Sequence, residues 1–186
     1  MLPPIRRMLT VFVPAALVLL LATPAWPTAQ IPEKIVYEGT EGFLFTNPLE
    51  AYFTKDNRRP EFTAPHTACW RGYIGSWEIR EDALYLTDLR AWIRDKEGKA
   101  APVEFEQIFP GKTKPMKADW FTGTLRIPRG KPIRYVHMGY QTVYEVDVFL
   151  RVEAGKVIDR QMVDNRNKVH TDPPAPSLTD QGGQNE

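Results

Sequence analysis

The chain has 186 residues, a formal net charge of +1, 42% hydrophobic residues and one cysteine. This length fits one domain with one hydrophobic core. The balanced charge argues against a nucleic-acid partner, and the single cysteine excludes a disulfide within the chain.

The N-terminus has the three-part layout of a secretory signal peptide. Arg6 and Arg7 precede an apolar run over residues 8–22, and small or turn-forming residues follow through Pro27. The run is shorter than the roughly 20 apolar residues of a membrane-spanning helix and contains Pro14. A cleaved signal is therefore favoured over a permanent anchor.

Residues 1–29 are assigned to this signal, with cleavage after Ala25 or, alternatively, after Ala29. The paired arginines invite comparison with a twin-arginine signal, but the strongly apolar run favours the general secretory route. Loss of Arg6 and Arg7 changes the net charge from +1 to −1. We expect a periplasmic or secreted protein without stable membrane insertion after cleavage, because no later segment is long and apolar enough.

The mature domain, residues 31–163, is predicted to begin in β structure. Residues 34–37 and 43–45 form two short strand patterns separated by a glycine-containing turn. Asn47, followed by proline, has the pattern of a helix N-cap and first helical residue, which predicts a two-turn helix over 48–55.

The middle of the domain predicts a hairpin, a helical turn and a further strand. Residues 70–80 and 84–93 are rich in aromatic and β-branched residues and flank a plausible turn at 81–83. Residues 103–109 could form one helical turn. Residues 118–127 form a strand pattern that ends at the proline and glycine following it.

The clearest periodic signal is the alternation of apolar and polar residues over 144–152, which predicts a half-buried antiparallel strand. Ala154 and Gly155 then reverse the chain into a strand over 157–163. Residues 164–186 have too few apolar side chains for burial to offset the conformational entropy lost on ordering. They are predicted to be a disordered tail. The fold class is mainly β (β-rich α+β): one mostly antiparallel sheet curled into a barrel or a sandwich, with one or two short helices.

Five aromatic-rich segments carry a resemblance to a known family. They are CWRGY at 69–73, WEI at 77–79, LYL at 84–86, ADWFTG at 118–123 and YVHMGY at 135–140. In these segments the chain resembles a family of uncharacterised bacterial proteins, a domain of unknown function. The resemblance spans roughly Asn47 to Ile158 and implies no activity, cofactor or catalytic residue.

Polar residues in aromatic-rich strands must face water or find a partner, so they are the candidate site residues. The predicted binding residues are Arg71, Glu78, Asp119, Trp120, His137 and Tyr140. His137 is the strongest candidate for chemistry, because an imidazole among tyrosines can titrate near neutrality. The alternative is a structural histidine whose hydrogen bonds are satisfied.

Catalytic patterns in the chain are weak. Cys69 with His137 could form a nucleophile and base, but a buried, inert thiol is the preferred interpretation. A metal site would need His66, Cys69, His137 or His170 to converge with a carboxylate, and of these four only His66 and Cys69 are near one another in sequence, so no metal or cofactor is predicted. Glu78 with Glu145 or with Asp119 could be a glycosidase acid pair, and the alternative is a solvated strand face.

The many Trp and Tyr residues either fill the core or form a recognition face. The sequence favours a noncatalytic extracytoplasmic binding module with an aromatic-rich face for an envelope protein or glycan. The alternatives are an envelope-associated hydrolase that uses His137 with a carboxylate, and a structural or assembly protein. Whether the chain is an enzyme stays open, with the noncatalytic interpretation preferred.

Overall fold

The computed structural model describes residues 30–136 and 140–168. The predicted signal peptide and His137 lie outside these residues. Of the predicted tail only 164–168 are described, and there Asp164 belongs to the last strand and Asn165 is buried. None of the helices in the described part of the chain is long and apolar enough to cross a membrane.

The described residues form nine strands and three very short helical elements. The strands are β1 Glu33–Tyr37, β2 Thr40–Leu44, β3 Tyr73–Arg80, β4 Ala83–Arg94, β5 Ala100–Val103, β6 Met116–Lys117, β7 Gly123–Arg134, β8 Val143–Glu153 and β9 Lys156–Asp164. The helical elements are 3₁₀ turns at Pro48–Tyr52 and Thr67–Cys69, and helix α1 at Phe105–Ile108.

All nine strands belong to one mixed sheet, so the mainly β prediction is confirmed. The strand order is β2-β1-β3-β4-β9-β8-β7, with β5 and β6 paired to β4. β1 and β3 run parallel, and the other pairs are antiparallel.

Of the two predicted forms of the sheet, a barrel or a sandwich, the barrel is wrong, because the described sheet is open between β2 and β7. Phe45, just beyond β2, donates its backbone N–H to Arg126 O at 2.8 Å, but the two strands form no ladder in the described chain. β7 contains Pro128 and Pro132, which lack the N–H that a further strand would need.

Both predicted hairpins are confirmed, and their turns have the required backbone geometry. Glu81 and Asp82 connect β3 to β4 with φ of 46° and 62°. Ala154 and Gly155 connect β8 to β9 with φ of 44° and 76°. Two consecutive positive φ values are typical of the tight turns that match the twist of paired strands.

The structure shifts the bounds of other predicted elements. β7 begins at Gly123 rather than at Ala118, and it continues to Arg134 past the proline and glycine predicted to end it. Pro128 keeps the regular register opposite Asp147, and register shifts between Arg129 and Arg134 accommodate Gly130. The predicted two-turn helix is only the 3₁₀ turn Pro48–Tyr52, whereas the helical turn within 103–109 is present as α1.

The core covers one face of the sheet and includes aromatic rings from several strands. Tyr73 and Trp77 are 0% and 1% exposed, whereas Trp70 is 68% exposed. The aromatic residues therefore differ widely in exposure. Some of the rings fill the interior, and others reach the surface.

Replacing Gly75 with alanine is expected to lower the free energy of unfolding by about 1–3 kcal/mol. A Cβ at Gly75 would lie 2.7 Å from Trp77 Nε1 and 2.8 Å from Glu33 Oε2, and both side chains are fully buried. Gly42 is the matched control, because a Cβ there meets nothing within 4 Å. Chemical denaturation of the two variants should show a loss at Gly75 only; equal effects would contradict the packing described here.

Candidate functional site

Two of the predicted site residues, Arg71 and Tyr140, meet in a buried polar cluster. Arg71 is 3% exposed, and its guanidinium donates one hydrogen bond to Tyr140 Oη at 2.8 Å and another to Ile31 O at 2.9 Å. Its Nε lies 3.7 Å from Oε1 of Glu33, a residue with no exposed surface. Arg71 and Glu33 therefore form an ion pair that is removed from water.

Glu33 projects into the core because β1 alternates, and Glu33, Ile35 and Tyr37 share the buried face. Trp77 donates its indole N–H to Oε2 of this carboxylate. Burial raises the pKa of Glu33 to about 7, while Arg71 and the Trp77 hydrogen bond act in the opposite direction. Desolvation is thus the larger effect on this carboxylate.

Further hydrogen bonds connect the cluster to the 3₁₀ turn that follows β2. Tyr140 donates its hydroxyl hydrogen to Asn47 Oδ1 at 2.8 Å, and burial raises the pKa of Tyr140 to about 12. Tyr73 donates to Glu50 Oε1 at 2.7 Å. Arg71 and Tyr140 therefore hold separate chain segments together; Arg71 is buried, and Tyr140 is half-buried.

The other predicted site residues that the structure describes are Glu78, Asp119 and Trp120, and they have other partners. Glu78 accepts a hydrogen bond from Arg80, and Asp119 forms an exposed ion pair with Lys117 at 2.7 Å. Half-buried Trp120 donates its indole N–H to a backbone carbonyl at 3.2 Å. In the described residues no hydrogen bond or ion pair links Glu78, Asp119 or Trp120 to the buried cluster.

Cys69 is fully buried, and its thiol lies 3.5 Å from Tyr73 O, which can accept its hydrogen. Burial raises the pKa of the Cys69 thiol, which disfavours the thiolate that nucleophilic catalysis requires. Within 30–136 and 140–168, no group of three His, Cys, Asp or Glu side chains could hold a metal ion.

An open groove of about 540 Å³ lies on the sheet face opposite the core, across β1 to β4. It is lined by Lys34, Ile35, Val36, Glu41, Gly42, Phe43, Ser76, Trp77 and Thr87. Phe43 is 49% exposed and pairs in register with Lys34 across β1 and β2. The groove thus combines one accessible ring with hydroxyl groups and both signs of charge.

Sequence reasoning singled out neither Glu33 nor Phe43. The signal for Glu33 was its spacing of two and four residues from Ile35 and Tyr37, which places it on their face. Phe43 lay in a predicted strand, but strand alternation alone does not identify which face is covered.

Comparisons with known proteins found no family model, curated protein or solved structure that matches this chain. The function of the candidate site is therefore inferred from its own geometry.

Proposed function

We propose that this protein is a noncatalytic extracytoplasmic binding module that recognises an envelope glycan in the groove across β1 to β4. The exposed Phe43 ring in this groove carries the proposal. Export rests on the signal-peptide pattern over residues 1–29. The proposed recognition face consists of Phe43 and its polar neighbours in the groove, and it is smaller than the aromatic-rich face that the sequence predicted.

The size and chemistry of the groove favour a small or narrow ligand over a broad protein surface. Its volume of about 540 Å³ is typical of small-molecule sites, which occupy roughly 300–1,000 Å³. A stable protein interface needs roughly 800 Å² from each partner, with a continuous apolar centre. A single ring flanked by Ser76, Thr87 and charged groups suits a sugar, which offers both an apolar ring face and hydroxyl groups.

The described carboxylates favour binding over hydrolysis. Glu78 and Asp119 each pair with a cation two residues away, and Glu33 is fully buried. Glycoside hydrolysis requires two carboxyl groups that face one cleft. Glu78, Asp119 and Glu33 do not supply such a pair.

Phe43→Ala is expected to weaken glycan binding by about tenfold or more, because the ring supplies the main contact area in the groove. The measurement is co-sedimentation of the exported chain with purified peptidoglycan. Trp70→Ala is the matched control, since Trp70 is an exposed ring that does not line the groove.

Unchanged binding of the Phe43 variant, or no binding by the wild-type chain, would reject the glycan proposal. A photo-crosslinking residue at position 43 that captures an envelope protein instead would favour the protein-partner alternative. Thermal melting of both variants separates a local loss of binding from a loss of folding.

A further inference from the structure

β9 has one edge that no described strand covers along most of its length. β4 pairs with β9 only at Ala83 and Lys156, because β4 begins at Ala83 and the chain before it is the hairpin turn. From Ile158 onward, β9 extends beyond that turn, and β8 is its only partner among the described strands. A long uncovered edge is a template for pairing with another strand.

The hydrogen bonds of β9 show which peptide groups face the uncovered edge. Asn165 donates its backbone N–H to Glu145 O of β8 at 2.8 Å. Because antiparallel strands alternate in the direction of their peptide groups, those of Arg160, Met162 and Asp164 face away from β8. Met162, at the centre of these three residues, is 73% exposed.

We propose that the uncovered edge of β9 binds β9 of a second copy of this chain in antiparallel register, with the two-fold axis at Met162. In this register Met162 faces Met162 of the second copy. Arg160 faces Asp164 of the second copy, and Asp164 faces its Arg160. Each facing pair can exchange both of its backbone hydrogen bonds, because all three residues direct their peptide groups toward this edge. The Arg160 N–H donates to the exposed Asp159 Oδ1 at 2.9 Å in the single chain, and the carbonyl of the facing Asp164 would replace that acceptor.

Charge complementarity selects a second copy as the occupant. Arg160 and Asp164 lie two residues on either side of Met162, so only antiparallel self-pairing about Met162 matches each charge with its opposite. Such an interface uses the same surface on both copies, so the assembly is complete as a dimer.

The chain's own C-terminal segment is a poorer occupant of this edge. Residues 169–186 contain three prolines, which have no N–H to donate, and only two aliphatic side chains larger than alanine.

The ion pairs that these residues already make do not oppose the dimer. Arg160 pairs with Asp82, and Asp164 pairs with Arg166, two residues along the chain. All four side chains are between 43% and 59% exposed. Exposed pairs of this kind contribute little, so they can rearrange at small cost.

An apolar groove lies beside the same edge. It has a volume of about 560 Å³, and its lining includes Tyr37, Val146, Val148 and Met162. The Met162 side chain of the second copy would cover part of this surface. The dimer is independent of glycan binding, because this groove shares no lining residue with the groove across β1 to β4.

Sedimentation equilibrium of the exported chain tests the dimer. The wild-type chain is expected to show a concentration-dependent mass that approaches two copies. R160D and D164R each place like charges opposite one another and should weaken the dimer by about tenfold or more. The double variant R160D/D164R restores opposite charges in the same register and should recover the wild-type affinity to within about threefold.

Two further variants test whether the interface lies at the uncovered edge of β9. Met162→Pro removes an N–H that faces the second copy and leaves pairing with β8 intact, so it should abolish the dimer without unfolding the chain. Arg151→Asp changes a β8 side chain that is 59% exposed and should have no effect on mass.

A single-copy mass at every soluble concentration would overturn the proposal. So would a dimer that tolerates both single reversals, or a double variant that fails to recover although its thermal melting is unchanged.

Discussion

Replacing Arg71 with alanine is expected to lower the free energy of unfolding by about 3–5 kcal/mol. The change leaves the Glu33 carboxylate buried without its cation and removes the donor to Ile31 O. The effect should be largest above the Glu33 pKa of about 7, where the carboxylate is ionised. Urea denaturation at pH 8 is the measurement.

Arg151→Ala is the matched control for the Arg71 variant. Arg151 is 59% exposed and its ion pair with Glu153 spans 3.7 Å, so its removal should change stability by less than about 0.5 kcal/mol. The double variant Arg71→Ala/Glu33→Gln should lose less than the sum of the single losses, because the two side chains interact directly. A loss below about 1 kcal/mol for Arg71→Ala would show that Arg71 is not a structural group.

The stability of the protein is expected to fall as the pH rises from about 4.5 to about 7, because of Glu33. Its pKa is about 7 in the folded chain, against an ordinary value of 4.5. A carboxyl group with a raised folded pKa binds a proton more tightly in the folded state. Its contribution is therefore complete below pH 4.5 and is lost as the pH passes 7. The expected difference is roughly 3 kcal/mol.

Glu33→Gln isolates this contribution from the other titrating groups. The amide oxygen of glutamine can still accept the Trp77 hydrogen bond, but the side chain does not titrate. Urea denaturation from pH 4 to pH 8 should give a steeper decline for the wild-type chain than for the variant. Parallel curves would mean that Arg71 keeps Glu33 ionised throughout this range, contrary to the raised pKa.

The sequence predicted Arg71 and Tyr140 as binding residues, and the structure shows them hydrogen-bonded to each other. Local sequence patterns did not identify Glu33 as the partner of Arg71. Glu33 is remote in the chain, and its contact with Arg71 depends on the parallel pairing of β1 with β3. This pairing joins residues that are distant in sequence, so a local sequence pattern does not reveal it.

The sequence left open which aromatic residues fill the core and which reach the surface. Trp70 and Trp77 are both tryptophans, but Trp70 is 68% exposed and Trp77 is 1% exposed. Trp77 is on the core-facing side of a central strand, whereas Trp70 follows a 3₁₀ turn before that strand begins. Their difference depends on what covers each position, and composition does not specify the covering element.

The sequence by itself determined the β class and the two hairpins, because period-two alternation and tight turns act between neighbouring residues. Tertiary structure decided that the sheet is mixed and open, that Glu33 and Arg71 are buried together, and that β9 extends beyond the β3–β4 turn. Each of these features depends on strands that are distant in sequence. Their pairing reflects burial and hydrogen bonding over the whole domain, which local propensity does not encode.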